Sequence, residues 1–289
     1  MKFLCWIIGL LATGYLPAQD HPWWAQNVQW DGVSHWMSYI RFAPKYLGPN
    51  ALPIPDLAGG VAPVRHSFAF DTQVHTQSGD RTLNPLLKAT YAAVPGKIGF
   101  DIQFLPIEFF NTSHQLKTTR HVFHTFYHTR HATGDTYFQT YLQLLNRPRH
   151  LADVLLRIGY RFPPSNQVGA ARFTDTPGYY FDLSSGIPLS PTARVHAMSG
   201  FYVWQTNDPQ HAQNDAFLWG AGMTFSPGRW NLDLHIRSYL GYLKNGDDPI
   251  VGRLSASFQT NRTRWQWLIQ QGLHDYSYTS LSLGFQHQW

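Results

Sequence analysis

Residues 280–289 read SLSLGFQHQW. Leu281, Leu283, Phe285 and Trp289 share one parity, and Ser280, Ser282, Gln286 and Gln288 share the other, so an extended backbone here has one apolar and one polar face. Chain ends are ordinarily frayed and polar. A regular amphipathic strand in this position therefore predicts a structural role. A closed barrel supplies one, because its last strand must pair with its first where hydrocarbon tolerates no open edge.

The same period-two pattern recurs upstream, with turn residues between the repeats. Phe68, Phe70 and Val74 alternate with Asp71, Gln73 and His75 before Ser78-Gly79-Asp80. Leu87, Ala89, Tyr91 and Ala93 lead to Pro95-Gly96-Lys97, and Ile98, Phe100, Ile102 and Phe104 follow. Val154, Leu156, Ile158, Tyr160 and Phe162 alternate with Asp153, Arg157 and Arg161; Leu232, Leu234 and Ile236 alternate with Asp233, His235 and Arg237. Segments of about 10 residues suit a tilted strand crossing a bilayer. Between Arg65 and Trp289 they predict an all-β fold, a transmembrane antiparallel barrel of about 12 strands whose apolar parity faces lipid. The segments at 119–130 and 178–184 carry the weakest strand pattern.

Composition favours the barrel over a soluble β-sandwich, whose strands also alternate. Charged residues are 13% of the 289, about half the roughly 25% of soluble chains, while aromatics reach 16% with 11 Trp. Mean hydropathy is nonetheless −0.30. The missing charges are replaced by Ser, Thr, Gln, Asn and His, which fits strands that turn only every second residue to lipid. The 22 Lys and Arg exceed the 17 Asp and Glu by five, or by four without Lys2, and with no basic run this gives no reason to expect nucleic acid as a partner.

Residues 1–18 have the layout of a secretory signal peptide: Lys2, an apolar run from Phe3 to Leu11, then small and turn residues to Ala18. Cys5 lies inside it and is the only cysteine, so a chain cleaved there has no thiol and no disulfide. Residues 19–64 depart from the strand rhythm. They carry Trp23, Trp24, Trp30 and Trp36, then a stretch too rich in Pro and Gly for a transmembrane strand. The expectation is an ordered N-terminal extension that plugs the lumen or caps the periplasmic mouth, with residues 65–289 forming the barrel and the four Trp largely buried.

The terminal strand resembles the closing strand of outer-membrane barrels, which commonly ends in an aromatic residue read by the barrel-assembly machinery. That resemblance implies the machinery and outer-membrane lipids as partners. YLGPNALPIPDL, ARFTDTPGYYFDLSSG, GFYVWQT and QNDAFLWGAG resemble segments of an uncharacterised family of outer-membrane β-barrel proteins from Bacteroidota. This implies location and fold but supplies no activity.

The polar parity collects Asp71, His75, Asp101, Arg157, Arg161, Arg194, His196, Asp233, His235, Arg237 and Arg253 as candidates for the lumen. Charges in a narrow lumen are costly unless paired. They form either a network that stiffens the wall or a polar conduit whose Arg excess favours anions. Asp233 is expected to pair with an Arg across the strands. Arg172, Asp175 and Asp182, around a Pro-Gly turn, are candidates for a loop that folds inward. His121, His124 and His128 would share a face on a helix and are weak metal candidates; no cofactor is expected. The function expected is a small-solute channel, or a ligand-binding or structural envelope protein. The alternative is a lipid-modifying hydrolase with a Ser/His site, although the His-x-Ser-Asn-Gly stretch of outer-membrane phospholipase is absent.

Overall fold

The computed structural model describes residues 22–122, 130–163, 168–206, 208 and 210–289. Fourteen strand segments follow in order: β1 Ser67–Gln77, β2 Asp80–Val94, β3 Ile98–Phe104, β4 Glu108–Thr112, β5 His131–Ala132, β6 Thr136–Leu145, β7 Asp153–Phe162, β8 Gly178–Pro188, β9 Ala193–Gln205, β10 Gln213–Phe225, β11 Trp230–Leu240, β12 Ile250–Gln259, β13 Thr263–His274 and β14 Thr279–Gln288. Every neighbouring pair is antiparallel. The strands β3 and β4 both pair with β2, while β6 and β5 pair with β3 and β4 respectively, so the fourteen segments make twelve staves.

The interruption has a local cause. Pro106 cannot donate to a ladder, and Leu105 turns inward against Gly134, where an added Cβ would lie 2.6 Å from the leucine Cδ2. The two breaks face one another across the sheet and are tied by the Gly134 N–H bonding the Leu105 carbonyl at 3.0 Å.

Closure occurs where the C-terminal strand led us to expect it. On one side β1 pairs with β14, from Ser67 opposite Gln288 to Thr76 opposite Thr279; on the other it pairs with β2. The Trp289 N–H then bonds the His66 carbonyl at 3.2 Å. The faces are as the alternation predicts. Leu234 is 57% exposed, whereas His235 and Arg237 on the opposite parity are 8% and 4% exposed. Exposed Phe, Tyr and Trp side chains such as Tyr91, Phe162, Phe225, Trp230 and Trp265 lie toward strand ends, as an interfacial girdle requires. A closed, outward-apolar and inward-polar barrel is an outer-membrane structure, since it leaves no edge unpaired in lipid.

Of the two weak segments, 178–184 is the start of β8. The stretch 114–119 is a single helical turn capped by Ser113, and 123–129 lies outside the described residues. The connections at the end where the chain enters β1 and leaves β14 are short, as at 95–97 and 260–262, while the opposite end carries the long ones, such as 163–177 and 241–249. We refer to these as the termini end and the loop end.

Residues 22–64 lie against and within the barrel. At the loop end, Trp24 is fully buried among Ile40 and Phe42, with Trp23, Trp30, Trp36 and Tyr39 packed around it. Trp24 Nε1 donates to the His121 carbonyl at 2.9 Å, and Asn27 Nδ2 donates to the Thr118 carbonyl at 2.9 Å. From there the chain turns inward. The Lys45 and Gly48 N–H groups bond the carbonyls of Gly246 and Arg172 at the loop end. Leu47, Ala51, Leu52 and Ile54 are then buried among inward-facing barrel side chains, and the Pro63 carbonyl accepts from Gly96 at the termini end.

Candidate functional site

The interior divides along its axis. Toward the loop end it is solid: Leu47, Leu52 and Ile54 of the extension pack on Tyr137, Tyr202, Trp204, Tyr239 and Tyr278, all buried. Tyr239 also donates its hydroxyl to the Leu52 carbonyl at 2.7 Å. A dry ion network lies beside this core. Asp80 accepts from Arg120 at 2.7 Å, from Arg172 at 2.6 Å and from the Tyr278 hydroxyl at 2.9 Å. Arg172 also donates to Glu108 at 2.6 Å and to the Thr82 hydroxyl at 2.6 Å, and stacks over the Phe110 ring. Each charge here is paired, the condition under which burial is tolerable.

Further charges are held in the same way. Arg157 pairs with Asp182 at 2.8 Å, Arg161 with Asp135 at 3.0 Å, and Lys88 with Asp101 at 2.8 Å. Arg194 pairs with Asp153 at 2.8 Å and also donates to the Gly59 carbonyl of the extension at 3.0 Å.

Beside the packed core a cavity of 970 Å³ runs from Pro49, Asn50, Asp135 and Tyr276 and opens toward the termini end. Its wall includes Asn231, Arg264 and Gln288 at strand ends on that side. Asp56 of the extension reaches into it and accepts from both Arg237 and Arg253. Asp71 accepts from Gln266 at 2.6 Å and from Ser282 at 3.4 Å. Across the described lining, the carboxylates of Asp56, Asp71, Asp101, Asp135 and Asp233 nearly balance the cations of Arg65, Lys88, Arg157, Arg237, Arg253 and Arg264. Of these, Asp71, Asp101 and Asp233 were already apparent on the strands, whereas Asp56 and Asp135, and the cations Arg65, Lys88 and Arg264, were not singled out by the strand pattern.

All eleven lumen candidates face inward, but the expected partner of Asp233 does not hold. Its hydrogen-bond and ion-pair partners are His235 at 3.2 Å, His196 at 3.7 Å and the Thr224 hydroxyl at 3.4 Å. Of the wall arginines around it, Arg253 is engaged by Asp56, a residue of the extension, and Arg194 by Asp153 on β7. Of the loop candidates, Arg172 is fully buried, Asp182 belongs to β8 and holds Arg157, and Asp175 is half-buried with no ion pair among the described residues. His121 donates from Nδ1 to the Tyr39 carbonyl at 2.8 Å, while His124 and His128 lie outside the described residues. Sequence reasoning missed Asp80, Arg120, Glu108, Asp135, Asp153, Lys88 and Asp56. Lys88 was detectable, since it occupies the polar parity between Leu87 and Ala89. Asp56 follows no period.

Among the described residues one Ser–His side-chain pair is hydrogen-bonded. The Ser280 hydroxyl donates to His75 Nδ1 at 2.7 Å and His75 Nε2 donates to Asn84 Oδ1 at 3.1 Å, with the tautomer assigned from the amide acceptor. The order of bonds is that of an activated serine, yet the site is inward-facing and buried. Neither Ser280 nor Asn84 borders the cavity. His75 borders the cavity but the Ser280 hydroxyl does not, and the two bonds join β14, β1 and β2 at the barrel closure.

No family model and no curated protein matches the sequence. Among solved structures, the fold is similar to an outer-membrane channel from Pseudomonas putida F1, with TM-score 0.59 and 12% identity over 81% of this chain and 100% of that one. It is also similar to the NanC porin, with TM-score 0.54 and 8% identity over 77% of this chain and 100% of that one. At such identities the likeness is one of fold.

Proposed function

We propose that this chain is an outer-membrane channel for small polar solutes, held closed by its own N-terminal segment. The observation that carries the reading is Asp56: a carboxylate from outside the barrel sequence sits in the lumen between two wall arginines, with the cavity on one side and a packed core on the other. A structural barrel has no need of a 970 Å³ polar chamber, and a lipid hydrolase would turn its nucleophile to the bilayer. Short connections at the termini end match periplasmic turns, so the chamber opens to the periplasm and residues 22–46 lie at the outer mouth. The reading includes removal of residues 1–18 on secretion, insertion by the barrel-assembly machinery through β14, contact with outer-membrane lipids, and kinship with the Bacteroidota barrel proteins that the motifs resemble.

Planar-bilayer conductance tests it. A chain lacking residues 22–64 is expected to conduct several-fold more than the full chain, which should be nearly silent. Equal conductance in the two would refute closure by the segment. Solute flux into liposomes through the shortened barrel would separately establish whether the lumen is a conduit.

A further inference from the structure

His196 on β9, Gly222 on β10 and His235 on β11 lie in one row across three strands, for Gly222 is the register partner of both histidines. Two side chains that straddle a strand start about 10 Å apart at the backbone, and a residue with a side chain would normally stand between them. Here the row is bridged over glycine. A Cβ at position 222 would lie 2.8 Å from His196 Nε2 and 2.6 Å from the His235 Cβ, so the missing side chain is what lets the His196 ring lie across the strand. Asp233, on the same face as His235 and one inward position nearer the termini end, meets both rings: its Oδ1 is 3.2 Å from His235 Nδ1 and 3.7 Å from His196 Nε2. The three donor groups lie within 4.8 Å of one another.

From this geometry we propose that His196, Asp233 and His235 form a binding site for a divalent transition-metal ion in the wall of the lumen, with Zn²⁺ as the representative ion. Two imidazoles and one carboxylate are the donor set of borderline ions such as Zn²⁺, Ni²⁺ and Cu²⁺, whereas Mg²⁺ and Ca²⁺ require a shell of oxygens. The present separations are close to the edge lengths of a coordination polyhedron with bonds of about 2.0–2.2 Å, so small side-chain rotations suffice to bring the donors onto one ion. Three ligands from one wall leave the remaining positions open, and Asp233 and His235 border the cavity, so those positions face solutes in the chamber.

Two features of the surroundings support a ligand beyond the protein's own hydrogen bonds. The second ring nitrogen of His235, Nε2, is buried without a partner, so the ring can turn to present either nitrogen to an ion without giving up a hydrogen bond at Nε2. The cations that would repel a metal are already neutralised: Arg253, the register partner of His235, is held by Asp56, and Arg194 is held by Asp153. Asp233 is left as the local negative charge. The site does not depend on whether the barrel conducts; an ion here would bind equally in a closed scaffold.

The experiment is a Zn²⁺ titration at pH 7.5 of the refolded full chain in detergent, by calorimetry, against His196→Gln, His235→Gln, Asp233→Asn and Gly222→Ala. Folding of each variant is checked by its heat-dependent mobility in gels. The wild type is expected to bind Zn²⁺ at this site with an affinity that falls more than about 10-fold in each variant. Gly222→Ala acts without removing a donor, so its effect separates a built site from scattered surface histidines. Absence of Zn²⁺ binding by the wild type, or unchanged stoichiometry and affinity in His196→Gln and His235→Gln, would overturn the proposal. Should either histidine variant not refold, Asp233→Asn, which keeps the side-chain volume, decides: an unchanged affinity in it also overturns the site.

Discussion

The two halves of the lumen use the same residue types to opposite ends. Near the loop end Asp80, Arg120, Arg172 and Glu108 have side chains exposed by 1% or less and are joined to one another and to Tyr278 with no room between them. Beside the chamber Asp56 is joined to Arg237 and Arg253, and the Asp56 side chain is 57% exposed. The energetic meaning of an ion pair differs accordingly. In the dry half, each charge depends on its partner for all the solvation it has lost; in the wet half, water stands ready to replace a lost partner.

The largest effect that this contrast predicts is at Arg172. Replacing Arg172 by Met removes donors from Asp80, Glu108 and Thr82, leaving Glu108 with the Asn50 amide at 2.8 Å as its one side-chain donor among the described residues. Breaking a buried ion pair of this kind costs about 3–5 kcal/mol, to be read from urea unfolding of the refolded barrel. A loss within measurement error would mean that the loop-end network is as hydrated as the chamber, and the comparison would fall.

At Asp56 the expected effect on stability is smaller and the effect on transport larger. Replacing Asp56 by Asn should cost less than the Arg172 change, since the Asp56 side chain is 57% exposed and Arg237, though buried, keeps its bond to the Gln270 amide oxygen at 2.9 Å. It also removes one of the five carboxylates that balance the chamber's cations, so any current should shift toward anions. Reversal potentials in a salt gradient would show this; an unaltered or more cation-favouring current would contradict the assignment of Asp56 to the lumen.

Legibility follows the same division. The barrel was readable because a stave buried on one face and wetted by lipid on the other must alternate, and Leu232 to Arg237 could not hide which face was which. Closure was readable from SLSLGFQHQW for the same reason. The partner of Asp233 was not, because Arg253 is taken by Asp56 from a Pro-rich segment with no period to follow, and Arg194 by Asp153 from a strand that is not its sequence neighbour. Arg172 was legible only as a candidate for a loop that folds inward: in a stretch rich in turn residues nothing local names Asp80 and Thr82 on β2 or Glu108 on β4 as its partners. The His196 and His235 pair was visible only as two inward residues on different strands. Their meeting depends on Gly222, and register across three strands is a property of the closed sheet.

The smallest predicted effect sharpens the comparison at the outer mouth, where the extension docks on the loop after β4. Burial lowers the pKa of His121 from its ordinary value of 6.5; the bond to the Tyr39 carbonyl opposes this, and the positive charge of Arg41 adds to it. Above 6.5 the histidine is neutral whether the segment is docked or released, and docking has its full strength. As pH falls below 6.5 the released form takes up the proton first, so docking weakens until pH passes the lowered value and then changes no further. His121→Asn should flatten that dependence, since Asn tolerates the positive φ of 57° at this position and carries no titrating ring, while the backbone carbonyl that receives Trp24 Nε1 is retained. Limited proteolysis of residues 22–46 in the refolded barrel at pH 7.5 and pH 5 measures it. The wild type is expected to be cut modestly faster at the lower pH and the variant equally fast at both. An identical pH response in the two would place the sensitivity elsewhere and detach His121 from the docking of the extension.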